Sequence, residues 1–309
     1  MTSNNSFKTL VKLTACAAIV ALFATSCKKK DKEEDVTEEP VTYNVPATYD
    51  FGDIDTVAPK QAIAMLGEFT GYIRKTHVNT GTPVILSPAK LRDYYANTNS
   101  PFSTATLNSS TFNLKGATGN AFGLQTAFDA AFVDAETAST NASVKVDSTT
   151  AFDGHSGKLV KPAVGTVAGR YILVDANGFE YKEYVEKGIM GAVFYYQATT
   201  ILNMISSYDN TVKTNGTTAQ QRAWDQAFAY YGVPVNFPTV KTGLKNWGSY
   251  GNSVDPAIGC NDAIMKAFIL GRAAINNSDN TTRDQARDIV VKTWERVAAA
   301  KFISYVKGA

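Results

Sequence analysis

The sequence predicts an all-α fold, a helical bundle domain with long irregular loops and at most one or two short strands. The longest periodic segment, Asp175–Ser207, places apolar residues three and four positions apart, as one buried face of a helix requires. Further segments of the same period lie on both sides of it, bounded by capping residues, glycine and proline. Only Arg170–Val174 has the composition that favours a strand. Helices therefore account for nearly all of the predicted core.

The other predicted helices are justified by the residues at their ends. Ser87 precedes a proline and is a good N-cap, and Thr218 with Gln221 forms a capping-box pattern. Gly232 follows the last periodic residue of its helix, as a C-cap glycine does, and Thr282 is placed to cap the last helix. The helices predicted from these signals are Pro59–Lys75, Pro88–Tyr95, Ala121–Ala138, Ala219–Tyr231, Asn261–Asn276 and Arg283–Val306.

The central segment carries features that predict how it packs. Gly188 and Gly191 remove side-chain bulk, so another element is expected to approach closely there. Its second half is apolar nearly all round, which predicts a helix that enters the core. Its first half has charged residues at the i,i+4 spacing that stabilises a helix, as Lys182–Glu186 and Glu183–Lys187.

Three long segments lack a regular period and are predicted to be irregular. They are 97–119, which is rich in Ser, Thr and Asn; 139–169, which contains His155 in a glycine-flanked turn; and 235–255, which contains Trp247 and several glycines. A long loop in a compact domain is often functional, so His155 is a candidate ligand-binding residue. A histidine that is merely exposed on the surface is the alternative.

The first 27 residues have the organisation of a bacterial lipoprotein signal peptide. Lys8 and Lys12 precede the apolar run Leu13–Phe23, which is too short to span a membrane. The sequence FATSC at 23–27 resembles a lipobox, so Cys27 is predicted to be the lipid-bearing first residue of the mature chain. An ordinary secretory signal, in which Cys27 is incidental, is the alternative. A lipid at Cys27 predicts a place in the cell envelope, on the periplasmic or the surface face of the outer membrane.

Residues 28–46 are predicted to be a charged, disordered tether. The sequence KKKDKEEDVTEEP that follows Cys27 has almost no apolar side chains and cannot bury a core. Residues 47–309 are then the all-α domain, which is expected to begin folding near Tyr49. Cys260 is the only other cysteine of the mature chain, so no intrachain disulfide is expected if Cys27 is lipidated.

Composition excludes some classes of function. The whole chain has a formal charge of +2, and removal of the two signal-peptide lysines leaves the mature chain close to neutral. Nucleic-acid binding is therefore not expected, because it needs a basic surface that neutralises phosphates. The chain has only two histidines, His77 and His155, which excludes a histidine-rich metal cage.

Candidate catalytic residues are few. The motifs of nucleotide-binding sites, α/β-hydrolases and zinc peptidases are absent from the sequence. Cys260 has no catalytic context and is predicted to be a small buried residue. Asp225 follows Trp224 near a helix start and is a candidate ligand-binding residue, with a hydrogen bond in the core as the alternative. Arg272 and Glu295 each lie among apolar helix residues and are predicted to form an interhelical ion pair.

From about Tyr49 to the C-terminus the chain resembles a family of secreted Bacteroidota lipoproteins known only as domain of unknown function 4856. The residues that carry the resemblance are Tyr49-Asp50-Phe51, VDANGFEYKEYVEKGIMGAVFYYQ at 174–197, AWDQAFAYYGVPVNFP at 223–238 and GRAAI at 271–275. The family has no established reaction, so the resemblance implies a fold and a location but no chemistry.

That family is distantly similar to the imelysin-like proteins, periplasmic all-α domains built from two packed bundles and tied to iron uptake. Their motif is G-x-H-x-x-E on a helix, and this chain has GFEYKE at 178–183, with Glu180 in place of the histidine. Glu180 and Glu183 could hold a hard cation such as Fe³⁺, Ca²⁺ or Mg²⁺, and Tyr184 could ligate ferric iron when deprotonated. A solvated acidic face with lysine partners and a tyrosine stripe packed in the core are the alternatives.

These observations leave three functions open. The first is a lipid-anchored accessory protein in iron or haem acquisition, which catalyses no reaction and works beside outer-membrane transport components. The second is a hydrolase, such as a peptidase, of the imelysin type. The third is a surface module that binds glycans or proteins through exposed aromatic side chains.

Overall fold

The computed structural model shows an all-α fold, as the sequence predicts, and Tyr43–Ala309 forms one compact unit. Within the described residues, no helix is long and apolar enough to cross a membrane. The residues that the structure describes are 41–52, 54, 56–76, 84–119, 121–141, 145–146, 156–161 and 170–308.

Most of the predicted helices are confirmed within three residues at each end. Ser87 Oγ accepts a hydrogen bond from the Lys90 N–H, and Thr218 and Gln221 form the predicted capping box. Gly232 ends its helix with a φ of +84°, as a C-cap glycine should. The α-helices are α1 (Val57–Arg74), α2 (Pro88–Ala96), α3 (Ala105–Asn108), α4 (Leu114–Thr118), α5 (Leu124–Asn141), α6 (Tyr181–Ile189), α7 (Tyr196–Asn203), α8 (Ala219–Tyr231), α9 (Asn246–Ile258), α10 (Cys260–Asn276) and α11 (Asn280–Gly308).

Strands are more numerous than predicted, although none exceeds five residues in the described part of the chain. β1 (Lys145–Val146) pairs in parallel with β2 (Gly157–Lys161), which pairs antiparallel with β3 (Arg170–Val174). β4 (Lys213–Thr214) and β5 (Thr217–Thr218) form a two-stranded ribbon. The predicted strand 170–174 is confirmed. The segment 139–169, predicted to be irregular, contains β1 and β2. β1 was missed because two residues cannot show a period, and β2 because its sequence GKLVK carries a glycine and two lysines, which are depleted in strands.

The central segment begins with a turn where a helix was predicted. Asp175 Oδ1 accepts hydrogen bonds from the backbone N–H groups of Asn177 and Phe179, both at 2.8 Å. Gly178 has a φ of +83° in this turn, a conformation that glycine adopts without strain. Helix α6 therefore begins at Tyr181.

A π-helical turn, Met190–Tyr195, separates α6 from α7 inside the segment predicted as one helix. Such turns insert an extra residue into an α-helix and change the direction of the side chains around it. The Met190 carbonyl accepts a hydrogen bond from Trp247 Nε1 of α9 at 2.8 Å. A side chain distant in sequence thus contributes to the bonding pattern at this turn, and helical periodicity alone could not show it.

The two glycines of the central segment differ in their surroundings. Gly188 lies against the Phe128 ring, and a Cβ at this position would be 2.6 Å from a ring carbon. The close approach predicted there is confirmed. Gly191 has open space where a Cβ would lie, so the close approach predicted at this second position is wrong.

Helix α9 lies in the segment 235–255 that was predicted to be irregular. Its glycines and Pro256 lower its helix propensity, which is why the pattern was missed. The same glycines permit close packing: a Cβ on Gly248 would lie 2.5 Å from Val233 Cγ1, and one on Gly251 would overlap the Tyr231 hydroxyl. Packing against the end of α8 therefore stabilises a helix that propensity disfavours.

The start of α11 also differs from the prediction. Asp279 Oδ1 accepts a hydrogen bond from the Thr282 N–H at 3.0 Å, so Asp279 takes the capping role that was predicted for Thr282. Tyr43 Oη donates to Asp279 Oδ2 at 3.0 Å. Tyr43 lies within the segment predicted as a tether, so contacts with the domain begin there, before residue 47.

Helices α8, α10 and α11 form the centre of the core, where Trp224 and Trp294 are fully buried. Trp224 Nε1 donates to the Phe268 carbonyl at 2.9 Å, which satisfies the indole donor inside the core. A Cβ on Gly271 would overlap the Trp224 ring, so only glycine permits this approach of α10 to α8. The short turn 277–279 then brings α11 back along α10.

Candidate functional site

The charged residues of α6 are joined in one ion-pair network. Lys182 Nζ is buried and lies 2.7 Å from Glu183 Oε1 and 2.5 Å from Glu186 Oε2. Lys187 Nζ lies 3.3 Å from Glu183 Oε2 and 2.8 Å from Glu186 Oε1. Both predicted i,i+4 pairs are therefore present. Each carboxylate is shared between two ammonium groups, so the charges on this face compensate one another.

Glu180 and Glu183, the predicted cation ligands, lie three residues apart at the start of α6. Glu180 precedes the helix, and its backbone forms a bridge with Val174 of β3. Burial acts to raise the pKa of Glu183, but the hydrogen bond from Lys182 and the nearby Lys187 charge outweigh burial and lower that pKa. A cation at Glu183 would have to displace these ammonium groups. Within the described ranges no group of three or more His, Cys, Asp or Glu side chains could hold a metal ion, and iron binding stays a prediction.

Tyr184, the third candidate ligand on this helix, is half-buried among aromatic rings. Its ring centroid lies 4.8 Å from that of Phe179 and 5.4 Å from that of Phe128. Burial raises the pKa of Tyr184, and burial raises the pKa of Tyr181 and of Tyr195 to about 12. A raised pKa makes the phenolate that ferric iron binds harder to form than at an ordinary tyrosine. The contacts fit a tyrosine stripe packed against the core.

Asp225 belongs to a different network, inside the core. Its side chain is fully buried, and its Oδ1 accepts hydrogen bonds from Tyr49 Oη at 2.6 Å and from Arg272 Nε at 2.9 Å. Arg272 also donates to Asn276, and its guanidinium lies 5.0 Å from the ring centroid of Phe51. Burial and the Asp225 charge raise the pKa of Tyr49 well above its ordinary value. The network thus joins the start of the domain to α8 and α10. Asp225 therefore has the role given above as the alternative, a hydrogen bond in the core.

The predicted ion pair between Arg272 and Glu295 is wrong. Arg272 pairs with Asp225, whereas Glu295 is exposed and accepts a hydrogen bond from Tyr195 Oη at 3.3 Å. Glu295 lies one position away from the buried stripe of α11 and therefore faces solvent. That stripe consists of Ala286, Val290, Trp294 and Val297.

Two further predicted residues, Cys27 for lipidation and His155 for ligand binding, lie outside the described residues. Cys260 is described, and its prediction as a buried residue is confirmed. Burial raises the pKa of its thiol to about 11, and Sγ donates to the Gly251 carbonyl at 3.4 Å. A buried, protonated thiol is a poor nucleophile.

An open polar groove of about 390 Å³ lies at the corner between α9 and α10. No motif in the sequence marks its residues as a site. The only indication in the sequence is Gly259, which lies between Asp255 and Asp262 and interrupts the helical periodicity there. Carboxylate, amide, hydroxyl and ammonium groups share this concave surface, which therefore offers both donors and acceptors. Its lining includes Pro238, Thr239, Lys241, Asp255, Asn261 and Asp262.

Local structure explains why these side chains converge. Gly259 has a φ of +59°, and its N–H donates to the Asp255 carbonyl at 2.8 Å, which ends α9. Asp255 Oδ1 accepts a hydrogen bond from the Asn261 N–H at 2.8 Å, in the first turn of α10. Asp255 and the buried Asn261 are thus held in place as the floor of the groove. Asp262 and Lys241 are exposed at its rim.

A family model described as "Domain of unknown function (DUF4856)" matches residues 46–309. No curated protein and no solved structure matches the chain. The family description assigns no activity, so a function has to be argued from the residues of this chain.

Proposed function

The chain belongs to the family of the DUF4856 domain, and we propose that it is a lipid-anchored, non-catalytic binding protein of the cell envelope whose polar groove binds the ligand. The ligand is polyhydroxylated, a saccharide chain or a saccharide-bearing polymer. The observation that carries this proposal is the mixture of hydrogen-bond donors and acceptors around the fixed floor of the groove.

A saccharide suits the groove because each sugar hydroxyl both donates and accepts hydrogen bonds. The Asp262 carboxylate accepts, the Lys241 ammonium donates and the Thr239 hydroxyl does both. Pro238 adds an apolar surface for the C–H face of a sugar ring. A volume of about 390 Å³ lies within the range of small-molecule sites, roughly 300–1,000 Å³. This groove, whose described lining residues are mainly polar and include none of the exposed aromatic side chains expected from the sequence, is the basis for preferring a saccharide ligand.

The anchor is proposed from the sequence of residues 23–27. Lipidation of Cys27 would add several acyl chains, which is enough for stable attachment to a membrane. The protein would then lie on the periplasmic or the surface face of the outer membrane. Outer-membrane transport components are expected partners if the bound ligand is imported.

Binding is favoured over hydrolysis because the candidate catalytic groups are engaged in the core. Asp225 accepts hydrogen bonds from Tyr49 and Arg272, so it is not available as a general base. The raised pKa of the Cys260 thiol keeps it protonated. The hydrolase alternative therefore depends on His155, which lies outside the described residues, and on the acidic pair Glu180 and Glu183, of which Glu183 is ion-paired with two lysines.

Iron or haem acquisition, implied by the similarity to imelysin-like proteins, is the second candidate. It is supported by the position of Glu180 and Glu183 at the start of one helix. Glu183 already lies within ion-pair distance of two lysines, and the raised pKa of Tyr184 disfavours phenolate. We therefore place saccharide binding first.

The test uses the chain that begins at Lys28, a glycan array, and calorimetry with the best-binding oligosaccharide. Asp262→Asn and Lys241→Gln each remove a charged group from the rim of the groove. Each should weaken binding roughly tenfold or more, because a hydrogen bond to a charged group contributes about 1.5–3 kcal/mol. Asp134→Asn makes the same change at an exposed aspartate of α5 and should leave binding unchanged. Absence of saccharide binding, or binding that neither groove variant alters, would refute the proposal.

A further inference from the structure

The outer face of the last two turns of α11 is apolar and exposed. Phe302, Ile303 and Val306 are 69%, 51% and 61% exposed, and with Ala299 they recur at spacings of three and four residues. In the described part of the chain no element covers this stripe. The same face is charged earlier in the helix, where it carries the exposed residues Asp288, Lys292 and Glu295.

Contacts on the inner side hold this end of α11 in place. Tyr305 Oη lies 2.8 Å from Tyr250 Oη on α9. Lys301 Nζ lies 5.0 Å from the ring centroid of Tyr250 and 4.9 Å from that of Tyr305, and it donates to Ser253 Oγ at 3.3 Å. The helix is therefore docked on α9 up to its last turns. Its apolar outer face is a preformed surface.

Charge identifies the occupant of this surface. An apolar helix face bordered by basic residues is typical of helices that lie at a membrane interface, and the exposed Arg296, three residues before Ala299, lies at the edge of this stripe. Contact with a second copy would bring two basic, acid-free ends together, and charge repulsion would oppose it. An anionic lipid surface complements the basic end instead. From residue 296 onward the sequence has no acidic residue and three basic ones, Arg296, Lys301 and Lys307.

We propose that the end of α11 is a second membrane contact, which inserts Phe302, Ile303 and Val306 into an anionic lipid surface. This inference rests on the lipid anchor of the proposed function, because the anchor keeps the domain near that surface. The anchor gives the end of α11 a high effective concentration at the membrane, so its contact with lipid forms there even if the free domain binds lipid weakly. Two contacts also orient the domain, and with it the groove.

The covalent reach of the chain permits both contacts at once. Tyr43 is bonded to Asp279 at the start of α11, and the 29 residues of the helix extend about 43 Å from there. The sixteen residues from Lys28 to Tyr43 span at most about 55 Å when fully extended. A lipid on Cys27 can therefore lie in the same surface as the C-terminal end of α11.

The test is sedimentation with unilamellar vesicles, using the chain that begins at Lys28. This chain keeps the whole compact unit from Tyr43 and lacks the acylated cysteine. Vesicles of phosphatidylglycerol mixed with phosphatidylcholine are compared with vesicles of phosphatidylcholine alone. Phe302→Ser should weaken binding to the anionic vesicles roughly tenfold, the lower end of what burial of one phenylalanine contributes. Arg296→Gln should weaken it roughly fivefold on anionic vesicles and hardly at all on neutral ones.

Phe122→Ser is the matched control, because Phe122 is 72% exposed elsewhere on the domain. Anionic binding that falls with Phe302→Ser and not with Phe122→Ser supports the proposal. No anionic binding, equal losses in both variants, or a dimer that Phe302→Ser dissociates in sedimentation equilibrium would overturn it. Thermal melts show that each variant folds, and Val306→Ser is a second variant of the same face. Mass spectrometry of the cell-derived protein tests acylation of Cys27 separately, so a missing anchor is distinguished from a failed helix contact.

Discussion

Substitution of Arg272 by methionine tests whether the buried Tyr49–Asp225–Arg272 network stabilises the fold. Arg272→Met keeps an unbranched apolar side chain but removes the ion-pair partner of the fully buried Asp225 carboxylate. Loss of one partner from a buried pair costs about 3–5 kcal/mol, so we expect the free energy of unfolding to fall by that amount. Tyr49→Phe loses the 2.6 Å hydrogen bond to the carboxylate and keeps the ring stacked on Phe228, so about 1.5–3 kcal/mol is expected.

The assay is urea unfolding of the chain that begins at Lys28, monitored by tryptophan fluorescence, since Trp224 lies beside Asp225 on α8. Arg92→Met is the control, because Arg92 and Asp129 form an ion pair whose side chains are 44% and 57% exposed. An exposed pair contributes about 0–1 kcal/mol, so this variant should remain close to the wild-type stability.

Two results would contradict the reasoning about this network. The first is an Arg272→Met variant no less stable than the Arg92→Met control. The second concerns the double variant Asp225→Leu/Arg272→Met, which removes both charges and should recover much of the loss. If the double variant is as unstable as Arg272→Met alone, then the loss comes from packing around position 272 and not from an unpaired carboxylate.

Three further predictions follow from other parts of the structure. Gly271→Ala should destabilise the fold by about 1–3 kcal/mol in urea unfolding, because its Cβ would overlap the Trp224 ring, whereas Gly191→Ala, in open space, should not. Burial raises the pKa of Tyr195 to about 12, so the contribution of its protonated phenol to stability is complete below pH 10 and is lost as the pH rises to about 12. In an alkaline titration, tyrosinate absorbance should therefore appear at a higher pH in the folded chain than in the chain unfolded by urea. Calorimetry with Fe³⁺ should show weak binding at most, and iron binding that Glu183→Ala abolishes would instead support the iron role.

Helix ends could be predicted because their causes lie within a few residues. The capping box at Thr218 and Gln221 depends on a spacing of three, and Gly232 ends its helix through its own backbone conformation. The same logic failed at Thr282, where Asp279 offered a competing cap only three residues earlier. Local signals thus identify the presence of a helix more reliably than the residue that caps it.

The missed elements depend on contacts between distant residues. The glycines of α9 disfavour a helix in isolation, and only the shapes of Tyr231 and Val233 turn them into a packing surface. The π turn at Met190 carries a hydrogen bond from Trp247, which is 57 residues away in sequence. The groove could not be predicted for the same reason, since it exists only where residues 238–241 meet the corner at Gly259.

Charge spacing within one helix contained the information needed to evaluate the proposed cation site. Helical geometry places Lys187 four residues after Glu183, so its ammonium group could be expected near that carboxylate, whereas the contact of the adjacent Lys182 with Glu183 is visible only in the structure. The ion-pair partner of Arg272 could not be predicted in this way, because Asp225 lies 47 residues away in sequence and no local geometry relates the two residues. A lysine at a pairing position thus weakens the case for a metal site at an acidic motif on a helix, and in this chain Lys187 stands at such a position relative to Glu183.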